Sequence, residues 1–199
     1  MYLTAKLINF TRGTLLKWGG TRIRERIWNR EFSGGRWNCL KDTPDDCVYQ
    51  FVEKYCDGGS ILDLGCGSGS TGNELNIAQY GSYTGVDVSG VAIEMAIKRS
   101  QYNNRNKKNA FYQSDIYDYT PSRKFNVILF RDTIYYLPLK QIKPLLKRYS
   151  THLEDNGFFI VRMFDKESGA QYIDLIKRNH KLIEEYAPAD TKTIVLVFR

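Results

Sequence analysis

Long hydrophobic runs are missing from this 199-residue chain, in which no stretch approaches the roughly 18 consecutive apolar residues of a membrane-spanning helix. Cysteine is scarce and scattered. Cys39, Cys47, Cys56 and Cys66 form no CxxC motif, and neither His152 nor His180 lies near one in sequence. That spacing excludes a zinc ribbon or a disulfide framework, so four free thiols and no metal are expected. No glycine is followed by lysine. The GxxxxGK[ST] loop that cradles nucleotide phosphates is therefore absent. The opening "MYLTAKLINF" lacks the basic start, long apolar core and small-residue cleavage site of a signal peptide, which makes a cytoplasmic location the default expectation. There is no internal repeat or low-complexity tract. Hydrophobic residues at 42 % and charged residues at 26 % fit one ordinary globular domain with a full core.

What is present is unevenly charged. Residues 1–40 hold eight basic side chains against Glu25 and Glu31, which accounts for most of the net charge of +7. Such an arm can attract an anionic partner, or it can simply be a solvated helix face. In "TRIRERIWNREF" (21–32), Ile23, Ile27, Trp28 and Phe32 fall at helical spacing with arginines between them. This predicts an amphipathic helix with Thr21 as its N-cap, broken by "SGGRW". A second helix is expected from Pro44 to Tyr55.

From Ile61 onward, strand and helix patterns alternate. Strands are predicted at "ILDL", "YTGVDV" (83–88), "NAFYQSDI" (109–116), "FNVILFRD" (125–132) and "GFFIVRMF" (157–164). Thr71 with Glu74 three residues later has the capping-box pattern, and Ser89 is placed to cap "GVAIEMAIKRS". Pro144 either kinks the helix "LKQIKPLLKRYSTHL" or marks a restart. "KLIEEY" and "KTIVLVFR" read as a tight antiparallel hairpin turning near Pro188. The expected architecture is α/β: a doubly wound, mostly parallel, seven-stranded sheet with that hairpin at its end and helices on both faces. Residues 1–57 form a helical arm or lid, and residues 58–199 one compact domain.

Ligands of such sheets sit at the carboxyl ends of the strands. Here those ends carry Asp63 before Gly65, Gly67 and Gly69, then Asp87, then Asp115, then Arg131 and Asp132. Three carboxylates would repel a pyrophosphate. They suit a ligand with an ammonium group, a ribose and an adenine amine. Gly67, Gly69 and Gly72 also satisfy G-x-G-x-x-G, and Tyr136 with Lys140 satisfies Y-x-x-x-K, so a dinucleotide reductase is a rival. Pro138 between the latter two argues against the helix that spacing needs.

The string Asp63-Leu64-Gly65-Cys66-Gly67-Ser68-Gly69 resembles the first motif of class I S-adenosylmethionine-dependent methyltransferases. Gly85-Val86-Asp87-Val88-Ser89 and Ser114-Asp115-Ile116 resemble the second and third. "FNVILFRDTIYYLP" and "LEDNGFFIVR" resemble the fourth and fifth, in the family's order, over about residues 58–199. The "YYL" ending resembles enzymes acting on small metabolites and saccharides. The resemblance implies a Rossmann-like fold and S-adenosyl-L-methionine as cofactor. It implies Gly65, Cys66 and Gly67 as its loop, with Cys66 only a small spacer. Asp63 and the carbonyl of Arg131 would orient the methionine ammonium, and Asp87 would accept from the ribose hydroxyls. Asp115 would accept from the adenine amine, with Val88 and Ile116 on the ring.

Around that frame, Asp132 is the best-placed base, with Tyr135 and Tyr136 as pocket walls. Trp37 is expected against the methionine chain or the sulfonium, and Arg36 on its carboxylate. Trp28 and Arg162 are expected to meet the acceptor, Arg162 through an anionic group. With no inserted cap domain, helix 21–32 and "SGGRWNCL" are expected to fold over the strand ends. The acceptor is a small metabolite or saccharide in this reading, its methylated atom oxygen or nitrogen. An RNA acceptor read by the basic arm, or a silent methyltransferase-like binding module, are the alternatives. Residues 1–20 are a candidate for peripheral membrane contact.

Overall fold

The computed structural model describes residues 11–40 and 43–199. Helix α1 is seen from residue 11 to 18. It is followed by α2 (Thr21–Ser33) and a single 3-10 turn at Asn38–Leu40. Then come α3 (Val48–Cys56), β1 (Ser60–Leu64), α4 (Ser70–Glu74), β2 (Ser82–Asp87), α5 (Gly90–Tyr102) and β3 (Asn109–Gln113). After β4 (Phe125–Arg131), a 3-10 turn at Ile134–Tyr136 leads to α6 (Leu139–Ser150). β5 (Leu153–Met163), α7 (Ala170–Asn179), β6 (Leu182–Tyr186) and β7 (Ile194–Phe198) close the fold.

The seven strands form one sheet in the order β3-β2-β1-β4-β5-β7-β6. β1 to β5 pair in parallel, and β7 runs antiparallel to both β5 and β6. The order reverses between β1 and β4. That switch opens a crevice above the carboxyl ends of β1, β2 and β4, where such sheets take their ligands.

Each face of the sheet has its own core. On one side Leu62, Leu64, Ile128, Phe130 and Val161 pack with α6 and α7 residues such as Ile142, Leu146, Tyr149 and Ile176. On the other, Ile61, Val127, Leu129 and Ile160 pack with Val48, Phe51, Val52 and Cys56 of α3. Alternate strand residues go to opposite faces, so both faces need apolar side chains and the strands read as nearly continuous hydrophobic runs. Helix α3 is thus part of the sheet's core, and the segment that lies over the strand ends stops before it.

Several local expectations are corrected. Gly20, not Thr21, occupies the N-cap of α2, and Gly69, not Thr71, that of α4. Thr71 is an interior helical residue, and Glu74 pairs with Arg99 on α5 instead of closing a capping box. Helix α3 starts at Val48, after a turn in which Asp46 Oδ1 accepts from the Val48 amide at 3.0 Å. Pro144 neither breaks nor restarts α6. The helix is held by Ile142, Leu145, Leu146 and Tyr149, a stripe at i, i+3, i+4 and i+7 whose burial outweighs one lost backbone donor. β3 ends at Gln113, so Asp115 stands on the loop beyond it. The hairpin connection runs over 187–193 and is not tight. Lys166 pins it, its Nζ donating to the carbonyls of Pro188 at 3.0 Å and Thr191 at 2.8 Å. Ser89 caps α5 as expected, accepting from the Ala92 amide at 3.1 Å.

Candidate functional site

A cavity of about 560 Å³ lies over the carboxyl ends of β1, β2 and β4. Its floor is the glycine turn after β1. The amides of Gly65 and Cys66 both donate to the Val86 carbonyl, at 2.8 and 3.0 Å, and turn the chain back over β2. Gly65 has φ +85°, and a Cβ there would sit 2.4 Å from Thr133 Oγ1. Only glycine fits both the left-handed backbone and that gap. Gly67, at φ +54°, faces the ring of Phe32 from α2.

Three carboxylates rim this floor, each nearly buried: Asp63, Asp87 and Asp115. Tyr83 donates to Asp63 Oδ2 at 2.6 Å, which fixes the side chain, while Asp63 Oδ1 is buried without a hydrogen-bond partner. Asp87 ties the turn to the next helix. Its Oδ2 accepts from the Gly67 amide at 2.9 Å and its Oδ1 from the Ser89 amide at 2.8 Å. Burial pushes the carboxyls of both Asp63 and Asp87 up to about 6, since loss of water penalises the charged form. Asp115 accepts from the Tyr117 amide at 3.0 Å through Oδ1 and from Arg24 Nε at 2.7 Å through Oδ2. The loop carrying Asp115 and Ile116 is stitched from α6. Arg148 donates to the carbonyls of Ile116 and Tyr117, and Tyr149 to that of Ile116 at 2.8 Å. Val88 and Ile116 line the same end of the cavity.

Helix α2 runs along the cavity from this end to the other. Arg24, Trp28 and Phe32, at i, i+4 and i+8, all face the cavity. Asn29 Oδ1 accepts from Ser89 Oγ at 2.7 Å, and Gln113 Nε2 donates to Glu25 at 3.1 Å. Thr21 Oγ1 donates to Asp118 at 3.1 Å. These bonds pack α2 over the strand ends.

The other end is aromatic. Trp28 meets Tyr136 edge-on at 5.0 Å and Trp37 at 5.7 Å. Glu31 holds the group together. It accepts from Arg12 at 2.5 and 2.8 Å, from Trp37 Nε1 at 3.1 Å and from Arg36 at 3.3 Å. Arg12 lies over the rings of Trp28 and Tyr136, which fixes the arm against the turn after β4. Arg36 itself is half-exposed and does not line the cavity. Its expected partner, a ligand carboxylate, is replaced by Glu31.

Asp132 and Arg162, read from sequence as base and anion contact, are paired with each other. Asp132 Oδ1 also accepts from the Phe164 amide at 2.8 Å and from the Tyr135 hydroxyl at 3.2 Å. Asp132 sits at φ +55°, a left-handed conformation costly for a residue with a Cβ. Burial raises its carboxyl above the ordinary range, with Arg162 opposing that rise. Burial and the neighbouring Asp132 also raise Tyr135 far beyond any physiological titration. The Arg131 carbonyl accepts from Thr133 Oγ1 at 3.0 Å, and its guanidinium pairs with Asp46 at 2.6 Å. Cys66 is buried on the cavity floor with its thiol pushed well up by burial, so it carries no reactive thiolate.

Arg24, Phe32, Asp46, Thr133 and Phe164 also line the cavity and were missed by sequence reasoning. The spacing of Arg24 and Phe32 with Trp28 carried a signal. Asp46 and Thr133 carried none, since only the tertiary fold brings them there.

S-adenosylmethionine fits these residues. An orphaned carboxylate oxygen at Asp63 matches an ammonium, and the side-chain-free turn matches close backbone approach. Asp87 keeps further lone pairs for a diol while its amide bonds hold it in place. A family model described as a methyltransferase domain matches residues 40–193. A probable cobalt-precorrin-6B C(15)-methyltransferase (decarboxylating) of Thermoplasma acidophilum is 34 % identical over 73 residues, which is 36 % of this chain and 36 % of that protein. The match therefore spans about a third of that curated relative. Among solved structures, the N-methyltransferase NodS of Bradyrhizobium japonicum WM9 in complex with S-adenosyl-L-homocysteine superimposes with a TM-score of 0.68 at 16 % identity, over 88 % of this chain and 97 % of that one. Magnesium protoporphyrin IX methyltransferase of Synechocystis PCC 6803 with bound S-adenosylmethionine gives 0.69 at 14 % identity, over 90 % and 96 %. With the fold, the strand-end carboxylates and the family match in agreement, the chain belongs to the methyltransferase-domain family and shares its fold with those two solved methyltransferases.

Proposed function

We propose that this protein transfers a methyl group from S-adenosylmethionine to an oxygen or nitrogen of a small, ring-bearing metabolite or saccharide. One observation carries the reading. A single cavity joins the orphaned Asp63 oxygen and the glycine turn at one end to the Trp28–Trp37–Tyr136 aromatic group at the other.

In this reading Asp63 and the Arg131 carbonyl orient the methionine ammonium, and Gly65, Cys66 and Gly67 lie along its backbone. Asp87 accepts from the ribose hydroxyls. Val88 and Ile116 flank the adenine, with Asp115 at its amine and Arg24 closing the edge. The cofactor supplies an activated methyl on a sulfonium. The chain's own contribution is proximity, alignment and exclusion of water.

The acceptor rests on Trp28, Trp37 and Tyr136, with the Tyr135 oxygen, whose proton is donated to Asp132, accepting from the acceptor's O–H or N–H and so positioning its nucleophilic atom. Asp132 holds Tyr135 and Arg162, and acts as a positioning residue more readily than as a base, since Arg162 already occupies one of its oxygens. The Arg131, Arg162, Asp46 and Asp132 charges neutralise one another. A neutral ring therefore fits this end better than an anionic group. The test is a methyl-acceptor screen with labelled S-adenosylmethionine across sugars, amino sugars, phenols and their carboxylated or phosphorylated forms. Turnover confined to anionic forms would contradict the acceptor reading, and turnover confined to RNA would replace it.

A further inference from the structure

The face of the arm turned away from the cavity has its own pattern. Leu15, Trp18 and Ile23 are 45 %, 64 % and 43 % exposed, large values for side chains of this size and polarity. Leu15 and Trp18 are i, i+3 neighbours on α1. Gly19 then bridges the two helices. Its amide donates to the Leu15 carbonyl at 2.8 Å, and a Cβ on it would touch Ile23 Cγ2 at 2.9 Å. The three apolar side chains therefore form one patch across the α1–α2 junction.

Arg22, Arg26 and Arg30 continue the patch along α2 at i, i+4 and i+8, all exposed. Like charges at that spacing repel and weaken a helix. Among the described residues none of the three has a side-chain hydrogen bond or ion pair. The other arginines of the arm are used: Arg12 on Glu31, Arg24 on Asp115, Arg36 on Glu31. Both acidic residues of α2 are also engaged, Glu31 by those arginines and Glu25 by Gln113. Among the described residues no carboxylate pairs with the stripe, and the three exposed cations outnumber Glu25, the one acidic side chain of α2 that holds no arginine.

Charge and apolar exposure together select the partner. A row of guanidinium groups beside tryptophan and aliphatic side chains is the pattern of an interfacial helix on an anionic bilayer. Single-stranded nucleic acid would use the cations, but it gains its remaining affinity from stacked aromatic platforms, which Leu15 and Ile23 do not provide. We propose that Leu15, Trp18 and Ile23, with Arg22, Arg26 and Arg30, dock this protein on an anionic phospholipid surface. The apolar trio enters the headgroup boundary and the arginines meet lipid phosphates. Helix α2 then has two working faces: Arg24, Trp28 and Phe32 over the cavity, and the arginine stripe on the membrane.

The full chain is sedimented with sucrose-loaded vesicles of phosphatidylcholine alone, or with about 30 mol % phosphatidylglycerol added. The expected result is partitioning at least about tenfold stronger with the anionic lipid, weakened in high salt, and reduced about fivefold for each of Arg22→Gln, Arg26→Gln and Arg30→Gln. Brominated lipid should quench wild-type tryptophan emission, and Trp18→Phe should abolish that quenching without altering S-adenosylhomocysteine affinity. The quenching measurement on the unaltered chain keeps the test valid if an arginine variant folds poorly. Equal partitioning onto both vesicles, no partitioning, or quenching that survives Trp18→Phe would overturn the proposal. So would binding of a single-stranded RNA, lost in the arginine variants, by a chain that ignores vesicles.

Discussion

Asp63 holds the clearest residue-scale consequence. Its carboxyl and that of Asp87 lie near 6 because both are buried, above the ordinary value near 4 of an unfolded chain. For a carboxyl raised on folding, the native state binds more protons than the unfolded chain between about 4 and 6, so its stabilising contribution is full below that window and lost as pH rises through it. A ligand ammonium reverses the preference by favouring the ionised form. S-adenosylhomocysteine affinity should therefore be full above about pH 7 and fall as pH drops through about 6, by up to about tenfold per unit for each coupled proton. Calorimetry from pH 5 to 8 checks this, and Asp63→Asn should flatten the dependence by one proton. At Asp132 two roles separate. As a positioning residue, Asp132→Asn should lower kcat by about tenfold to a hundredfold and leave the shape of the pH–rate profile intact. Loss of the profile's acidic limb would make it the base. At this scale Asp63 and Asp87 were legible in sequence because each lies at the end of a strand pattern, and Asp115 because it follows one by two residues. The partners of Asp132, Arg36 and Arg131 were not, because Arg162, Glu31 and Asp46 reach them only through the folded sheet and arm.

The glycine turn and α2 set the predictions at the scale of elements. Gly65→Ala puts a Cβ against Thr133 in a left-handed backbone, so it should destabilise the fold by about 1–3 kcal/mol in urea unfolding. It should also remove cofactor binding, because the turn itself must move. Arg24→Ala cuts the tie from α2 to Asp115. It should weaken S-adenosylhomocysteine binding about threefold to thirtyfold while leaving kcat at saturation nearly unchanged, since the hydrogen-bond partners of Arg24 are Asp115, Thr21 and the Gly19 carbonyl, none of them in the aromatic group; matched calorimetry and kinetics distinguish the two effects. Strands and helices with strong periodicity were readable, α5 down to its Ser89 cap. The failures were at junctions. Thr71 offered a capping pattern, yet the tight left-handed glycine at 69 starts α4 first. Pro144 suggested a kink or a restart, but α6 runs unbroken through it, held by its packing on the sheet.

For the whole molecule, the sheet order places the cavity and the arm completes it. A ligand that binds only the folded chain stabilises it by about 2.7 kcal/mol at a hundred times its Kd, which for a domain of this size raises Tm by about 5–10 °C. S-adenosylhomocysteine should do so, and deletion of residues 11–36 should shrink the shift by removing Arg24, Trp28 and Phe32 from the cavity wall. The overall sheet and its terminal hairpin were legible because alternating patterns and strand-end motifs agree. The allotment of α3 to the core was not, since its apolar stripe looks the same whether it packs on a sheet or in an arm. The most direct test of the central claim is calorimetric titration of the full chain with S-adenosylhomocysteine, with NADH as control. The account predicts one site, weakened at least about tenfold by Asp87→Ala, and no heat with NADH. Binding of NADH, or S-adenosylhomocysteine affinity unchanged by Asp87→Ala, would contradict it.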